Sequence, residues 1–458
     1  MSNVLTTKER GFGAPTQDDA IGGSLLQKIE QFSAKVSIVG LGYVGLPLLR
    51  SLHDCGYPVL GFDVDAEKVD KLNGGVSYIS HLGGKFAEQL ASSPRFEATT
   101  EAERLAEADV VILCVPTPLG LHREPDLSFV RQSAQIVGRH LRPGQLIVLE
   151  STTYPGTTRD EVLPILANTG LRCGEDFFLA YSPEREDPGR TDMMQQSVPK
   201  LVGATDDRSL QLALSIYRKI VENVHAVSSA EVAEAAKLLE NIYRAVNIAL
   251  VNELKIVLTD MGIDIWEVIE AAATKPFGYQ PFYPGPGLGG HCIPIDPFYL
   301  TWKARALGHH TKFIELAGEI NSNMPIYVLS RIIEALNESG KSLKQSRVLV
   351  VGLAYKRNVG DSRETPAAEI LLQLQQRGAS VSYHDPYVPD FPTMRKYHLN
   401  LHSVPLSEDV VKSSDCVVIV TDHSGIDYGM LAKNAALIVD TRNAMAAVPA
   451  GGARVIKA

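Results

Sequence analysis

The stretch "KVSIVGLGYVGLPLL", residues 35–49, decides the fold. The apolar run "KVSIVG" predicts a strand, and residues 44–55 predict a helix. Between them Gly40, Gly42 and Gly45 form the pattern G-x-G-x-x-G. Glycines let the backbone approach a pyrophosphate closely, and a helix N-terminus supplies free N–H donors and a positive dipole end. The combination therefore predicts a dinucleotide site, with a purely structural turn as the alternative.

An acidic residue follows at the distance that such a site requires. A second predicted strand, "YPVLGFDVD", covers residues 57–65 and contains Asp63, about twenty residues beyond the glycines. A carboxylate there can accept hydrogen bonds from ribose hydroxyls and repels a 2′-phosphate. The pattern therefore favours NAD over NADP.

Strands and helices alternate on both sides of a long helical segment. Further strand-like runs lie at 109–116, 145–151, 177–183, 346–355, 379–387, 415–423 and 435–443. Residues 229–262 repeat apolar side chains at helical spacing, with no proline and no glycine before Gly262. The predicted fold class is α/β, with two Rossmann-like α/β domains joined by a long central helix and a helical domain. The predicted segments are an N-terminal extension (1–34), an NAD-binding domain (35–207), a central helical domain (208–335) and an α/β domain (336–458).

Composition excludes several other classes of protein. The 458 residues carry a net charge of -9, which argues against a nucleic-acid binder. The five cysteines are widely spaced and odd in number, as is usual in a reducing compartment, and no spacing predicts a metal site. Neither an apolar run of about 18 residues nor a signal peptide is present, so we expect no membrane span and a cytoplasmic location.

One cysteine lies in an unusual context. The run "PGPGLGGHCIPIDPFYL", residues 284–300, is too rich in glycine and proline for a regular helix or strand, yet it contains Cys292. A glycine-rich loop lets a substrate approach a thiol. Beside a dinucleotide fold, a thiolate can add to an aldehyde to give a thiohemiacetal, then a thioester, which water releases as an acid. The alternative is a structural loop with a buried thiol.

Two further patterns favour catalysis. Lys237 and Asn241 lie four residues apart, and therefore on one face of the long helix, although a solvated stripe would look the same. The segment "YSPERED" places Glu184 directly after a predicted strand. Carboxyl ends of parallel strands are where such sheets bind their ligands.

The motifs together resemble the UDP-glucose/GDP-mannose dehydrogenase family of nucleotide-sugar 6-dehydrogenases, over about residues 35–445. They are "VGLGYVGLP", "VPTPL", "ESTTYPGTT", "YSPER", "AEAAKLLENIYRAVNIALVNE", "GPGLGGHCIPIDP" and "GLAYKRNVGDSRETPA". The resemblance implies an N-terminal NAD domain, a central helix used for dimerisation and a C-terminal UDP-sugar domain. It also implies two successive oxidations of a sugar C6 hydroxyl to a carboxylate, with two NAD.

The resemblance also assigns catalytic roles. Cys292 matches the nucleophile, Lys237 the ammonium that stabilises the oxyanion, and Asn241 a donor beside it. Asp296 matches the aspartate that orients the lysine and a water molecule. Two more positions concern hydrolysis of the thioester: Glu184 matches the carboxylate that activates water, and Thr153 matches the threonine that holds it.

Binding residues follow in the same way. The expected NAD contacts, besides the three glycines, are Tyr43, Val44, Asp63, Lys68, Thr117 and Arg363. Lys356 matches a lysine that contacts the nucleotide-sugar. Arg185 and His291 depart from the residues usual in UDP-glucose enzymes and are candidates for substrate contacts, beside Glu184, Lys237 and Asn241, although His291 could instead only pack in its loop.

The departures resemble the branch that acts on N-acetylated UDP-hexosamines in bacterial surface-polysaccharide pathways, including lipopolysaccharide O-antigen. UDP-N-acetylglucosamine is the expected substrate, and UDP-glucose, UDP-N-acetylgalactosamine and UDP-N-acetylmannosamine are alternatives. The resemblance implies a homodimer or higher homo-oligomer. Two other hypotheses are an inactive NAD-binding scaffold and a two-electron 3-hydroxyacid-type dehydrogenase, which would need neither Cys292 nor a third domain.

Overall fold

The chain forms two compact units, Met1–Leu238 and Leu239–Ala458. The computed structural model describes residues 20–79, 84–120, 123–185, 197–290, 292–394 and 396–458. Each unit contains its own sheet. Within these ranges no helix combines the length and apolar character needed to cross a membrane.

The first unit is built on one sheet of eight strands within the described ranges. They are β1 (Val36–Val39), β2 (Val59–Phe62), β3 (Phe96–Thr99), β4 (Val110–Leu113), β5 (Leu146–Leu149), β6 (Phe178–Tyr181), β7 (Lys200–Ala204) and β8 (Val224–Ala226). The strand order is β3-β2-β1-β4-β5-β6-β7-β8. Neighbouring strands run parallel, except that β7 runs antiparallel to β6. The carboxyl ends of β4, β5 and β6 and the beginning of β7 therefore share one edge.

Helices cover this sheet. They are α1 (Ala20–Glu30), α2 (Gly45–Asp54), α3 (Ala66–Asn73), α4 (Gly84–Ala91), α5 (Ser128–Arg139), α6 (Leu163–Ala167) and α7 (Asp207–Ile220). The central strands are continuous apolar runs, such as "VVIL" in β4 and "LIVL" in β5, and every residue in them is buried. Such runs are typical of parallel sheets covered on both faces. Leu25 and Ile29 of α1 belong to the same core as Ile216 and Tyr217 of α7.

The long helix α8 (Ala230–Asp260) has 31 residues, as its periodicity predicts, and passes from the first unit into the second. A buried carboxylate attaches its beginning to the first unit. Glu234 accepts hydrogen bonds from Gly156 N at 2.6 Å, from Thr158 N at 2.9 Å and from Thr158 Oγ1 at 2.7 Å. Burial raises the pKa of Glu234 to about 7, although these hydrogen bonds oppose the increase.

Over its described residues, the second unit has three helices after α8 and then a smaller α/β layer. The helices are α9 (Ile265–Ala273), α10 (Asp296–Ala306) and α11 (Lys312–Glu338). The layer contains β9 (Arg347–Val351), α12 (Pro366–Gln376), β10 (Ser380–His384), α13 (Glu408–Ser413), β11 (Cys416–Ile419), α14 (Tyr428–Asn434), β12 (Leu437–Asp440) and β13 (Arg454–Lys457). Its described strands are all parallel, in the order β10-β9-β11-β12-β13.

The two sheets use the same local arrangement. Gly40 at the end of β1 has φ 96°, and Gly352 at the end of β9 has φ 91°. Asp63 after β2 accepts a hydrogen bond from Leu41 N, and Asp385 after β10 accepts one from Leu353 N. The predicted α/β class with two Rossmann-like units is therefore confirmed.

Four strands lack a clear sequence signal. Edge strands β3, β8 and β13 are partly exposed and carry no continuous apolar run, and β7 contains a glycine. The antiparallel β6–β7 pair also departs from the expected parallel sheet. The residues preceding β1 include α1, and those before Ala20 lie outside the described residues. The proposed domain boundaries stay a prediction.

Candidate active site

The glycine-rich turn between β1 and α2 leaves backbone accessible at one position. A Cβ on Gly40 would lie 2.6 Å from the carbonyl oxygen of Cys114, and a Cβ on Gly45 would lie 1.9 Å from the carbonyl oxygen of Gly40. Both glycines are therefore required by close packing. At Gly42, by contrast, no described heavy atom outside the glycine and its two chain neighbours lies within 4 Å of the Cβ position. The turn thus presents Gly42 to open space just before α2 begins, as close approach of a phosphate requires.

Asp63 lies beside this turn. Its Oδ2 accepts from Leu41 N at 2.8 Å and its Oδ1 from Asp65 N at 3.0 Å, so the backbone fixes the carboxylate. Lys68 Nζ lies 3.7 Å from Asp63 Oδ2. A fixed carboxylate at the end of β2 suits ribose hydroxyls, and the turn and Asp63 together fit a dinucleotide.

Two predicted threonines follow neighbouring strands. Thr117 lies beyond β4 and Thr153 beyond β5, and both are buried. The hydroxyl of Ser151 accepts from Val115 N at 3.0 Å and donates to Val115 O at 2.8 Å, which ties the two strand ends together. Thr153 Oγ1 has no hydrogen-bond partner within the described residues. A buried hydroxyl of this kind suits a bound water molecule or ligand.

Glu184 lies at the same edge, beyond β6, and bonds to a lysine that no motif had indicated. Lys200 Nζ lies 3.1 Å from Glu184 Oε2 and 2.9 Å from Glu150 Oε2. Tyr217 OH donates to the other oxygen of Glu150. Burial raises the pKa of Glu150 and Lys200 opposes that increase, whereas the two carboxylates outweigh burial and raise the pKa of Lys200.

In the second unit, α8 and α10 bring three predicted residues close together. Asn241 Nδ2 donates to Asp296 Oδ2 at 2.6 Å, and both residues are buried. Asp296 is the first residue of α10, and its N–H donates to the carbonyl oxygen of Cys292 at 2.8 Å. Cys292 is exposed. Lys237, which is buried, lies one turn before Asn241 on α8.

Asparagines hold the glycine-rich segment before Cys292. Asn252 of α8 accepts from Gly285 N at 2.9 Å and donates to Asn321 of α11 at 2.9 Å. A Cβ on Gly289 would lie 2.5 Å from Tyr355 Cβ, so the segment packs closely against the "AYKRN" motif. The segment is thus fixed by contacts far apart in sequence.

The remaining predicted residues occupy separate places. Arg363 pairs with Asp361 through Nη2 at 2.6 Å. Arg185 donates from Nη1 to the carbonyl oxygen of Pro199 at 2.7 Å. Lys356 is half-buried in the loop after β9, and Tyr43 is exposed in the first glycine turn, where Val44 precedes α2. His291 lies outside the described residues.

Models of one family match three consecutive parts of the chain. They are described as the UDP-glucose/GDP-mannose dehydrogenase family NAD binding domain (34–221), central domain (231–323) and UDP binding domain (349–447). A UDP-N-acetyl-D-glucosamine 6-dehydrogenase of Pseudomonas aeruginosa is 36% identical over 392 residues, which are 85% of this chain and 90% of that protein. The chain belongs to the UDP-glucose/GDP-mannose dehydrogenase family.

Other members of the family are named for different substrates. A UDP-N-acetyl-D-mannosamine dehydrogenase of Pyrococcus horikoshii is 34% identical over 425 residues, covering 91% of this chain and 97% of that protein. The solved structure of a UDP-D-ManNAc dehydrogenase from the same organism matches with a TM-score of 0.83 and 32% identity, covering 92% of this chain and 98% of that one.

Family membership confirms the predicted family and the cofactor. The protein is a nucleotide-sugar dehydrogenase, residues 34–221 match the family's NAD-binding domain, and NAD is its cofactor. The part of the prediction that concerns a UDP-binding domain is likewise supported, over residues 349–447. The roles of individual residues stay predictions.

Several supporting residues escaped prediction. Asn252 carried a signal, because it lies three helical turns from Asn241 on the same face of a largely apolar helix. Glu150 begins the motif "ESTTYPGTT", but the motif gave it no role, and Lys200 and Tyr217 carried no signal. The pairing of β5, β6 and β7 brings Glu150 and Lys200 together, and α7 adds Tyr217.

Proposed function

We propose that this protein oxidises the C6 hydroxyl of a UDP-N-acetylhexosamine, UDP-N-acetylglucosamine, to a carboxylate in two NAD-dependent steps. The observation that carries the proposal is the hydrogen bond from Asn241 Nδ2 to Asp296 Oδ2 beside the turn that begins at Cys292. It joins the amide of Asn241 to the carboxylate of Asp296, whose backbone N–H donates to the carbonyl oxygen of Cys292, so residues of two separate motifs are neighbours. The proposed product supplies surface-polysaccharide synthesis.

Cys292 is the proposed nucleophile. Bound NAD would supply the hydride acceptor for both oxidations, from alcohol to aldehyde and from thiohemiacetal to thioester. The thiolate forms a C–S bond with the aldehyde carbon, and the carbonyl oxygen takes up the negative charge. An exposed thiol close to the N-terminus of α10 suits this role, because the positive end of the helix dipole stabilises a thiolate.

Lys237 and Asn241 are proposed to stabilise the negative oxygen that this addition produces. The ammonium supplies a positive charge, and the amide supplies a hydrogen-bond donor held in place by Asp296. Asp296 is also proposed to orient the lysine and a water molecule. Removing one such donor typically lowers a rate by about 10²- to 10³-fold.

Glu184 and Thr153 are proposed to hydrolyse the thioester. Thr153 holds a water molecule through its buried hydroxyl, and Glu184 accepts a proton from that water. The water oxygen bonds to the thioester carbon, the C–S bond breaks, and its electron pair returns to the Cys292 sulfur. The products are the sugar acid and the thiolate.

Binding roles complete the proposal. The expected NAD contacts are the turn residues Gly40, Gly42, Tyr43, Val44 and Gly45 with Asp63, Lys68, Thr117 and Arg363. Lys356, Arg185 and His291 are proposed to contact the nucleotide-sugar, in addition to the catalytic residues Glu184, Lys237 and Asn241. The Asp361 carboxylate fixes the guanidinium of Arg363, which supports a positioning contact of this kind.

The substrate is identified by comparing several UDP-hexoses and by counting the NADH formed for each sugar consumed. UDP-glucose, UDP-N-acetylgalactosamine and UDP-N-acetylmannosamine are the alternatives, since relatives carry both glucosamine and mannosamine names. The purified protein is incubated with NAD and each UDP-hexose, NADH is followed by absorbance, and the acid is identified by mass spectrometry. We expect two NADH for each UDP-N-acetylglucosamine consumed. Formation of one NADH and an aldehyde for each sugar would disprove the four-electron reaction. A higher kcat/KM for another UDP-hexose would identify that sugar as the substrate instead.

A second copy of the chain is the proposed partner. Large apolar side chains are exposed along α8 and directly after it, at spacings close to whole helical turns: Leu239, Tyr243, Leu250, Leu254 and Val257 on the helix, and Met261 just beyond its end. We call this set the α8 stripe. An exposed apolar stripe of this length supports a homodimer formed through the central helix. The cytoplasm stays the predicted location.

A further inference from the structure

A buried charge cluster lies at the carboxyl edge of the first sheet. Glu150 follows β5, Glu184 follows β6, and Lys200 begins β7. Because β7 runs antiparallel to β6, its first residue lies at the edge where β6 ends. Lys200 Nζ therefore reaches both carboxylates, at 2.9 Å from Glu150 and 3.1 Å from Glu184.

The two carboxylates differ in their surroundings. The Glu150 side chain is fully buried and also accepts a hydrogen bond from Tyr217 OH. The Glu184 side chain is 18% exposed, and its second oxygen accepts from the backbone N–H of Arg185 at 2.7 Å. Glu150 and Tyr217 form the closed inner end of the cluster, and Glu184 forms its open end.

Charge keeps the lysine in its ionised form. Burial by itself would lower the pKa of Lys200, but Glu150 and Glu184 together raise it. The ammonium also lies 5.3 Å from the centre of the Tyr217 ring, within the range of a cation–π contact. The ammonium is thus held by Glu150, Glu184 and the Tyr217 ring, and it donates to Oε2 of Glu184.

We propose that Lys200 is a positioning residue that holds the Glu184 carboxylate in place for water activation during thioester hydrolysis. The inference rests on the proposed function of Glu184. Lys200 donates to Oε2 throughout and stays protonated, while the carboxylate accepts the proton of the attacking water. The step breaks one O–H bond of water and the C–S bond of the thioester, and it forms the new C–O bond of the acid.

The test must separate positioning from simple charge balance. Lys200→Met alone would leave Glu150 as a buried carboxylate without a cation, which destabilises folding. We therefore choose Lys200→Met combined with Glu150→Gln, which removes both charges and retains an acceptor for Tyr217. Lys28→Met is the matched control, because Lys28 pairs with the buried Asp109, which keeps Arg142 as a second partner.

The readout is pre-steady-state NADH formation with the UDP-sugar that gives the highest turnover, together with intact-protein mass spectrometry after acid quenching. We expect the double variant to form two NADH per active site rapidly and then to turn over about 10- to 100-fold more slowly than wild type. A covalent sugar adduct accumulates, while KM changes little. Lys28→Met behaves as wild type.

Wild-type turnover without adduct in the double variant would overturn the inference, since charge balance alone would then explain Lys200. If the double variant shows no cooperative thermal unfolding and is therefore not folded, Lys200→Gln combined with Glu150→Gln replaces it, and the same outcomes apply. Glu184→Gln separates the two proposals. If that variant hydrolyses the thioester normally, the proposed role of Glu184 is wrong; if it accumulates adduct and the double variant does not, only the role of Lys200 is wrong.

Discussion

At the scale of the residue, Cys292 lies in a loop whose backbone is held on both sides. The carbonyl oxygen of Cys292 accepts from the N–H of Asp296, and the glycine segment before it contacts Tyr355 and Asn252. The side chain itself is exposed. Substitution of the sulfur should therefore change chemistry without a large effect on folding.

We expect Cys292→Ala to retain slow alcohol oxidation and to lose acid formation, because no thioester can form without the sulfur. The measurement is NADH per sugar, with the product identified by mass spectrometry, and the expected ratio does not exceed one. Cys173→Ala is the control, since Cys173 lies against Thr205 in the first unit. Acid formation at the wild-type rate by Cys292→Ala would rule out the thioester route.

Asp63 tests the cofactor side. Asp63→Ala removes a fixed carboxylate beside the turn, so we expect kcat/KM for NAD to fall about 10- to 100-fold, as for a charged hydrogen bond. The fall for NADP should be smaller, because repulsion of its 2′-phosphate disappears too. Asp65→Ala is the control, because Asp65 lies equally close to Lys68 but caps α3. If the ratio of kcat/KM for NAD to kcat/KM for NADP is unchanged, Asp63 does not bind the ribose hydroxyls.

At the scale of the element, α8 serves several purposes with one sequence. Its first turns carry Glu234, which binds the loop around Gly156 and Thr158, and the next turns carry Lys237 and Asn241. The later turns carry Asn252, which holds the segment before Cys292. A continuous helix sets the spacing of these groups at 1.5 Å per residue.

The attachment of α8 can be tested through Glu234→Gln. An amide in place of the carboxylate directs an N–H toward one of the three donors, so we expect the free energy of unfolding to fall by about 1–3 kcal/mol. Equilibrium unfolding in denaturant measures this change in the free energy of unfolding. Glu231→Gln is the control, because Glu231 pairs with the exposed Arg159, and a change of less than about 1 kcal/mol is expected.

The same carboxyl group should make stability depend on pH. Its folded-state pKa of about 7 lies above the ordinary value of 4.5, so the folded state holds the proton more tightly. The resulting stabilisation is complete below pH 4.5 and is lost as the pH rises through about 7. The difference in unfolding free energy between wild type and Glu234→Gln should therefore decrease from pH 5 to pH 8, and a constant difference would contradict the assignment.

At the scale of the whole molecule, the α8 stripe is a set of apolar side chains that the described residues of one chain leave exposed. Leu250 is 53% exposed and Leu254 40% exposed, which is unusual for neighbouring turns of one apolar helix. A second copy would bury these side chains, and removing their apolar surface from water would stabilise the pair.

We expect Leu250→Glu combined with Leu254→Glu to convert the proposed dimer to single chains, because two carboxylates would lose their hydration in a contact between copies. Size-exclusion chromatography with light scattering measures the mass. Val64→Glu is the control, since Val64 is 78% exposed and lies outside the stripe. A wild-type protein that is already a single chain at micromolar concentration would refute the proposed dimer.

The sequence by itself determined the α/β class, the glycine turn with Asp63, the long helix and the residues matched to catalysis. These features follow from local rules: apolar runs for strands, a period of 3.6 for helices, and glycine where backbone must approach closely. Edge strands such as β3 and β13 lacked those signals because one side of each faces solvent. The antiparallel direction of β7 was likewise evident only from the structure.

Only the tertiary structure decided which distant residues meet. The pairing of Asn241 with Asp296 spans 55 positions, and the pairing of Lys200 with Glu150 spans 50. No local pattern encodes such contacts, because strand order and strand direction determine which strand ends share an edge. Lys200 is therefore read from sequence as one more lysine, and it becomes a buried bridge between two carboxylates only when β5, β6 and β7 assemble.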